Sequence, residues 1–219
     1  MKKRSKSRED YLKAIYVLEH EERARVSTSA VAERLGVSAP AATTMLKRLA
    51  AEGLVRRERY RGVELTAAGR RAAVEVLRHH RLLEQYLSQR LGVAIDELHE
   101  EAEQLEHALS ESLEARIDRD LGFPTHDPHG DPIPDADLAV ADAPLHTLAE
   151  LEPGERATIR RVPDRDRELL RYLSSIGLLP GETVRMLAAE PAGGPLLVEA
   201  GDAVRAVSRE LAALVGIGS

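Results

Sequence analysis

His99, Glu103, Glu106 and His107 recur at intervals that return a helix to nearly one face. At ~100° per residue, Glu103 lies one turn from both His99 and His107, with Glu106 beside it. His80 and Glu84 repeat the one-turn spacing upstream. Two helices that face each other with such imidazole and carboxylate pairs can enclose divalent ions without sulfur. The chain has no Cys, which excludes disulfides, thiolate catalysis and Cys-based zinc or iron–sulfur sites. HExxH, GxSxG, phosphate-binding-loop and dinucleotide patterns are missing, and no nucleophile stands out, so no enzyme is expected. A metal-dependent hydrolase stays as a distant alternative. The run His126-Asp127-Pro128-His129 is read as linker rather than as a third ligand cluster.

The elements that must position these groups follow from periodicity and punctuation. Apolar positions predict a helix over 8–22. A Ser or Thr near 27–29 caps a short helix ending at Gly36, and Ser38 caps another that tolerates Pro40 in its first turn and stops at Gly53. Strands 54–59 and 63–65 flank a turn at Tyr60-Arg61-Gly62. Thr66 caps a helix to about 91, and a second long helix is expected from 96 to 121. A Pro-, Asp- and His-rich linker running over the surface then leads to about 144. Short apolar runs at 157–162, 183–187, 196–199 and 203–207, interrupted by a helical piece at 168–176, predict a small β-barrel.

Charge is segregated among these parts. The 219 residues carry 31 Lys+Arg against 37 Asp+Glu. Residues 1–75 hold a net +7, 76–140 a net −10 and 141–219 a net −3. No apolar run or leader pattern points to a membrane or to secretion, so a cytoplasmic protein is expected. Helix, short helix, turn, helix and basic hairpin form the order of a winged helix-turn-helix. The N-terminal residues of its second helix, Ser38, Pro40, Ala41, Thr43 and Thr44, are the candidates to face the bases, with Pro40, Ala41 or Ala42 against thymine methyls. Lys47 and Arg48 are phosphate candidates, as are Arg56, Arg57, Arg59, Tyr60 and Arg61 of the wing.

Glu9-Asp10-Tyr11-Leu12, His80-Arg81-Leu82-Leu83-Glu84, Glu103-x-x-Glu106-His107 and His129-Gly130-Asp131-Pro132-Ile133-Pro134 together resemble the diphtheria toxin repressor family of metal-dependent transcription regulators. The resemblance covers essentially the whole chain. It implies a mainly α fold with a small β part: a winged helix-turn-helix DNA-binding domain at 1–75, a helical metal-binding and dimerisation domain with a Pro-rich linker at 76–142, and an SH3-like (FeoA-like) domain at 143–219. It also implies a primary metal site of Asp10, Glu103, Glu106 and His107. An ancillary site of His80, Glu84 and His99 would be completed from Asp164-Arg165-Asp166-Arg167-Glu168, with Asp166 and Glu168 preferred. Iron sensors of the family usually carry Met and Cys at the places of Asp10 and Glu103, whereas manganese sensors resemble this chain. Oxygen in place of sulfur gives a harder site that suits Mn²⁺. Lys13 stands where short manganese regulators use a Glu ligand, so two separated sites are expected.

What the resemblance implies is a manganese-dependent repressor of metal-ion uptake genes, with Mn²⁺ as corepressor. The alternative is an iron-responsive regulator using Fe²⁺, and Zn²⁺, Co²⁺ or Cd²⁺ are expected to bind in vitro. The partners are a palindromic double-stranded DNA operator and a second copy of the chain. Leu82, Leu83, Leu87, Leu105, Leu109, Leu113 and Ile117 are the core or dimer-interface candidates.

Overall fold

Tyr11, Leu12, Ile15 and Leu18 recur at helical spacing along α1 (Lys2–Glu22), and all four are buried. The computed structural model describes residues 2–22, 25–58, 62–141 and 145–218. They divide into two compact units. The first gathers 1–80, 106–109 and 134–139; the second gathers 81–105, 110–133 and 140–219. No helix among the described residues is long and apolar enough to cross a membrane.

In the first unit, the Ser27 hydroxyl accepts from the Ala30 amide and starts α2 (Thr28–Arg34). Gly36, at φ 61°, releases the chain into a turn. Ser38 accepts from the Ala41 amide to start α3 (Ala39–Ala51), with Pro40 in the first turn. β1 (Val55–Glu58) and β2 (Gly62–Leu65) then pair antiparallel, Val55 opposite Leu65. Val26 and Val63 exchange both backbone hydrogen bonds, at 3.0 and 2.9 Å, and fasten the hairpin to the strand-like residue before α2. The helix-turn-helix and wing therefore form as their caps predict. Arg59, Tyr60 and Arg61 lie outside the described residues.

Thr66 caps α4 (Ala67–Leu91) by accepting from the Gly69 amide. The single long helix expected over 96–121 is instead three pieces: α5 (Leu98–Leu105), a 3₁₀ turn (Glu106–Ala108) and α6 (Glu111–Asp120). Two local events break it. The His79 ring nitrogen donates to the Glu106 carbonyl oxygen at 3.2 Å, taking an acceptor that a continuing helix would use internally. Ser110 then caps a fresh helix by accepting from the Leu113 amide.

The expected surface linker is another correction. Asp127, His129, Ile133 and their neighbours are buried. The Asp127 Oδ1 accepts from the amides of His129 and Asp131, both at 2.9 Å, and closes a tight turn. The loop is sewn to the C-terminal sheet by the Val162 amide, which donates to the His129 carbonyl at 2.9 Å.

That sheet has six antiparallel strands in the order β3-β8-β4-β5-β6-β7. β4 (Arg156–Arg161), β5 (Thr183–Ala189), β6 (Leu196–Ala200) and β7 (Ala203–Val207) fall on the four apolar runs. The short β3 (His146–Thr147) and β8 (Gly216–Gly218) carry too few residues to show a pattern. Ile159, Leu173, Met186, Val198 and Val207 fill its core, with α7 (Arg167–Ser175) contributing Leu170 and Leu173. α8 (Arg209–Ala212), capped by Ser208, precedes β8. Leu82, Leu83, Leu87 and Ile117 are buried as core, whereas Leu105 and Leu113 are 44% and 48% exposed and available to a partner.

Candidate metal centre

His107 sits between two carboxylates supplied by α1. Its Nδ1 lies 2.7 Å from Glu9 Oε2, and its Nε2 lies 2.7 Å from Asp10 Oδ1 and 3.2 Å from Glu106 Oε1. Asp10, Glu106 and His107 each present a ligand atom within 4.8 Å of the others. All three belong to the first unit, because 106–109 joins α1 there. Glu103, on α5, belongs to the second unit. Its carboxylate lies 3.6 Å from His99 Nε2 instead.

Burial alone would lower the His107 pKa, but hydrogen bonds to Asp10 and Glu9 and the charge of Glu106 hold it above its ordinary value. Glu106 is buried, which alone would raise its pKa. His80, with Nδ1 2.6 Å from Oε2, and the Lys13 ammonium, 2.7 and 2.8 Å from its two oxygens, hold it below the usual range. Lys13 thus places a fixed positive charge on the far side of Glu106. The set is hard, made of two carboxylates and an imidazole whose partners already demand a positive charge, and it fits a divalent cation.

A second group lies within the second unit. The Glu84 Oε1 is 3.7 Å from His99 Nδ1, and Asp164 Oδ2 is 4.0 Å from the same nitrogen. His80 precedes Glu84 by one turn of α4. The C-terminal carboxylate beside His99 is therefore Asp164. Asp166 is spent as the N-cap of α7, accepting from the Leu169 amide at 3.0 Å, and Glu168 is exposed in the first turn. Sequence reasoning passed over Glu9 and His79, and within the stretch 164–168 it preferred Asp166 and Glu168 to Asp164. The adjacency of Glu9 to Asp10 was the one local signal, since His79 and Asp164 act across contacts distant in sequence.

On the opposite business of the first unit, Ser38, Pro40, Ala41 and Thr44 are exposed along the start of α3, and Thr43 is half-buried. Ala42 is fully buried and faces the core, so it offers nothing to a base. The Thr44 hydroxyl donates back to the Pro40 carbonyl at 2.9 Å. Thr43 and Lys47 line a cleft with Ser27, Thr28 and the wing residue Arg57. Arg48 pairs with Glu52 at 2.9 Å, and Arg56 lies 3.8 Å from Glu64.

Comparison with known proteins adds three matched regions. Residues 3–63 match "Iron dependent repressor, N-terminal DNA binding domain", 66–135 match "Iron dependent repressor, metal binding and dimerisation domain", and 146–217 match "FeoA domain". The chain is 34% identical over 221 residues to the iron-dependent repressor IdeR of Mycobacterium leprae, covering 95% of each. A solved manganese-dependent transcriptional repressor in complex with manganese is 42% identical, with a TM-score of 0.87 over 97% of this chain and 99% of that one. ScaR with bound Cd²⁺ is 32% identical, with a TM-score of 0.80 over 97% and 99%.

Proposed function

The chain belongs to the iron dependent repressor family, that of the diphtheria toxin repressor, and from that premise we propose that it represses transcription in response to Mn²⁺. The observation that carries this reading is the donor set of Asp10, Glu106 and His107: oxygen and nitrogen only, in a chain without Cys. Hard donors suit Mn²⁺, although Zn²⁺, Co²⁺ or Cd²⁺ are expected to bind more tightly in vitro because Mn²⁺ stands at the weak end of the affinity order. The 42% identity to a manganese-dependent repressor supports the same choice. The 34% identity to an iron-dependent repressor favours Fe²⁺ as the second reading.

In this reading Asp10, Glu106 and His107 hold the regulatory ion, with Glu9 orienting His107 through Nδ1. A bound divalent ion supplies the positive charge that the His107 proton supplies without it. Asp10 and Glu9 lie on α1, the helix that packs against α2 and β2. Fixing them to the 106–108 turn orders the first part of the DNA-reading unit. A second ion belongs to Glu84, His99 and Asp164. The dimer forms through the helical segment, for which exposed Leu105 and Leu113 are the seam candidates, and it presents two α3 helices to a palindromic operator of metal-uptake genes.

The test is operator binding titrated with Mn²⁺ and Fe²⁺ at buffered free concentrations. We expect Mn²⁺ to stimulate binding, and Asp10→Ala to abolish the stimulation while the dimer persists by ultracentrifugation. A variant that answers metal as fully as the parent would remove this mechanism. Stimulation by Fe²⁺ alone selects the second reading.

A further inference from the structure

Glu84 is buried on α4, and its two oxygens face different histidines: Oε1 is 3.7 Å from His99 Nδ1 and Oε2 is 3.8 Å from His129 Nδ1. His129 is completely buried. Its ring is held from behind by the Ile95 carbonyl oxygen, 3.1 Å from Nε2. A carbonyl only accepts, so Nε2 carries the proton of the neutral ring and Nδ1 carries a lone pair. That Nδ1 has no hydrogen-bond partner. A buried imidazole nitrogen and a carboxylate oxygen therefore face each other in a space closed to solvent, an arrangement completed either by a proton on Nδ1 or by a metal ion between them.

Asp127 supplies the third group. One ligand atom from each of Glu84, Asp127 and His129 falls within 4.8 Å of the others. Its Oδ1 serves the turn amides, and its Oδ2 lies 3.8 Å from Arg81 Nε. An imidazole backed by a main-chain carbonyl is also how metal-bound histidines are usually oriented.

We propose that Glu84, Asp127 and His129 hold a divalent cation of their own, with Glu84 shared between this ion and the one assigned to His99. All three ligands lie in the second unit, so the proposal leans on the metal-responsive reading through Glu84 alone and not through Asp10, Glu106 or His107. The ion fastens α4 to the turn at 127–131, which the His129 carbonyl already ties to Val162.

The experiment uses the full chain loaded with Mn²⁺: anomalous diffraction at the manganese edge, with bound metal per chain counted by equilibrium dialysis. The expected result is a peak among Glu84, Asp127 and His129, and one Mn²⁺ fewer per chain in His129→Gln. Glutamine keeps an N–H for the Ile95 carbonyl and removes Nδ1. If that variant lacks a cooperative melt, Asp127→Asn, which keeps the Oδ1 acceptor of the turn, must lose the same ion. A parent map with manganese at Asp10, Glu106 and His107 but none beside His129 overturns the proposal and leaves His129 as an imidazolium paired with Glu84. Manganese beside His129 but absent at Asp10 upholds it and sinks the regulatory reading instead.

Discussion

At the proposed site around His107 a proton and a metal ion would compete for one set of carboxylates, with opposite pH dependences. The folded pKa is raised, so the metal-free ion pair contributes stability fully below about pH 6.5 and loses it as pH rises through the raised value. Metal requires the neutral ring, so its affinity climbs with pH and binding near neutrality releases protons. Calorimetric titration with Mn²⁺ in two buffers of different protonation enthalpy should give different apparent heats at pH 7; identical heats would count against a charged His107. Glu9→Gln removes the carboxylate that orients the ring from Nδ1, 2.7 Å away. A loss of about 10- to 100-fold in Mn²⁺ affinity is expected, read by competition with a chelating dye. Asp10, Glu106 and His107 were legible from residue type and family likeness. Asp164 was not, because nothing local distinguishes it from Asp166, whose carboxylate is committed to a helix cap.

Among the elements, the turn at 127–131 makes the sharpest demand on a single position. Gly130 has φ 89°, and a Cβ there would lie 1.7 Å from the Arg160 carbonyl oxygen. Gly130→Ala must therefore push the turn off β4 as well as hold a strained backbone, which alone costs about 1–3 kcal/mol. A marked fall in melting temperature is expected in a thermal scan, and an unchanged one would mean the loop does not pack as described. Elements with local punctuation were readable: Ser27, Ser38 and Thr66 cap where they were expected to. The break at 106–110 was hidden, since the agent that takes the Glu106 carbonyl is His79, far away in sequence. The burial of 127–134 was hidden for the same reason: Pro, Asp and His give a linker's composition, and only the partner strand turns it into packed structure.

For the molecule as a whole, net charge opposes contact with nucleic acid everywhere except through the first unit, whose segment 1–75 is +7 in a chain of net −6. A dimer that neutralises six phosphates through Lys47, Arg48 and Arg57 should lose about 10³-fold in operator affinity between 50 and 200 mM salt. Fluorescence anisotropy at fixed free Mn²⁺ measures the slope, and a flat line would rule out these contacts. Linkage also requires operator DNA to tighten Mn²⁺ binding by the same factor that Mn²⁺ tightens DNA binding. The first unit borrows residues 106–109 from beyond the end of the helix-turn-helix and wing. If the proposed site is the sensor, a protease cut or gene truncation soon after residue 80 would leave a head with all its candidate base-facing side chains but deaf to the ion, and recombination could not trade the listening part for another without carrying Asp10 along.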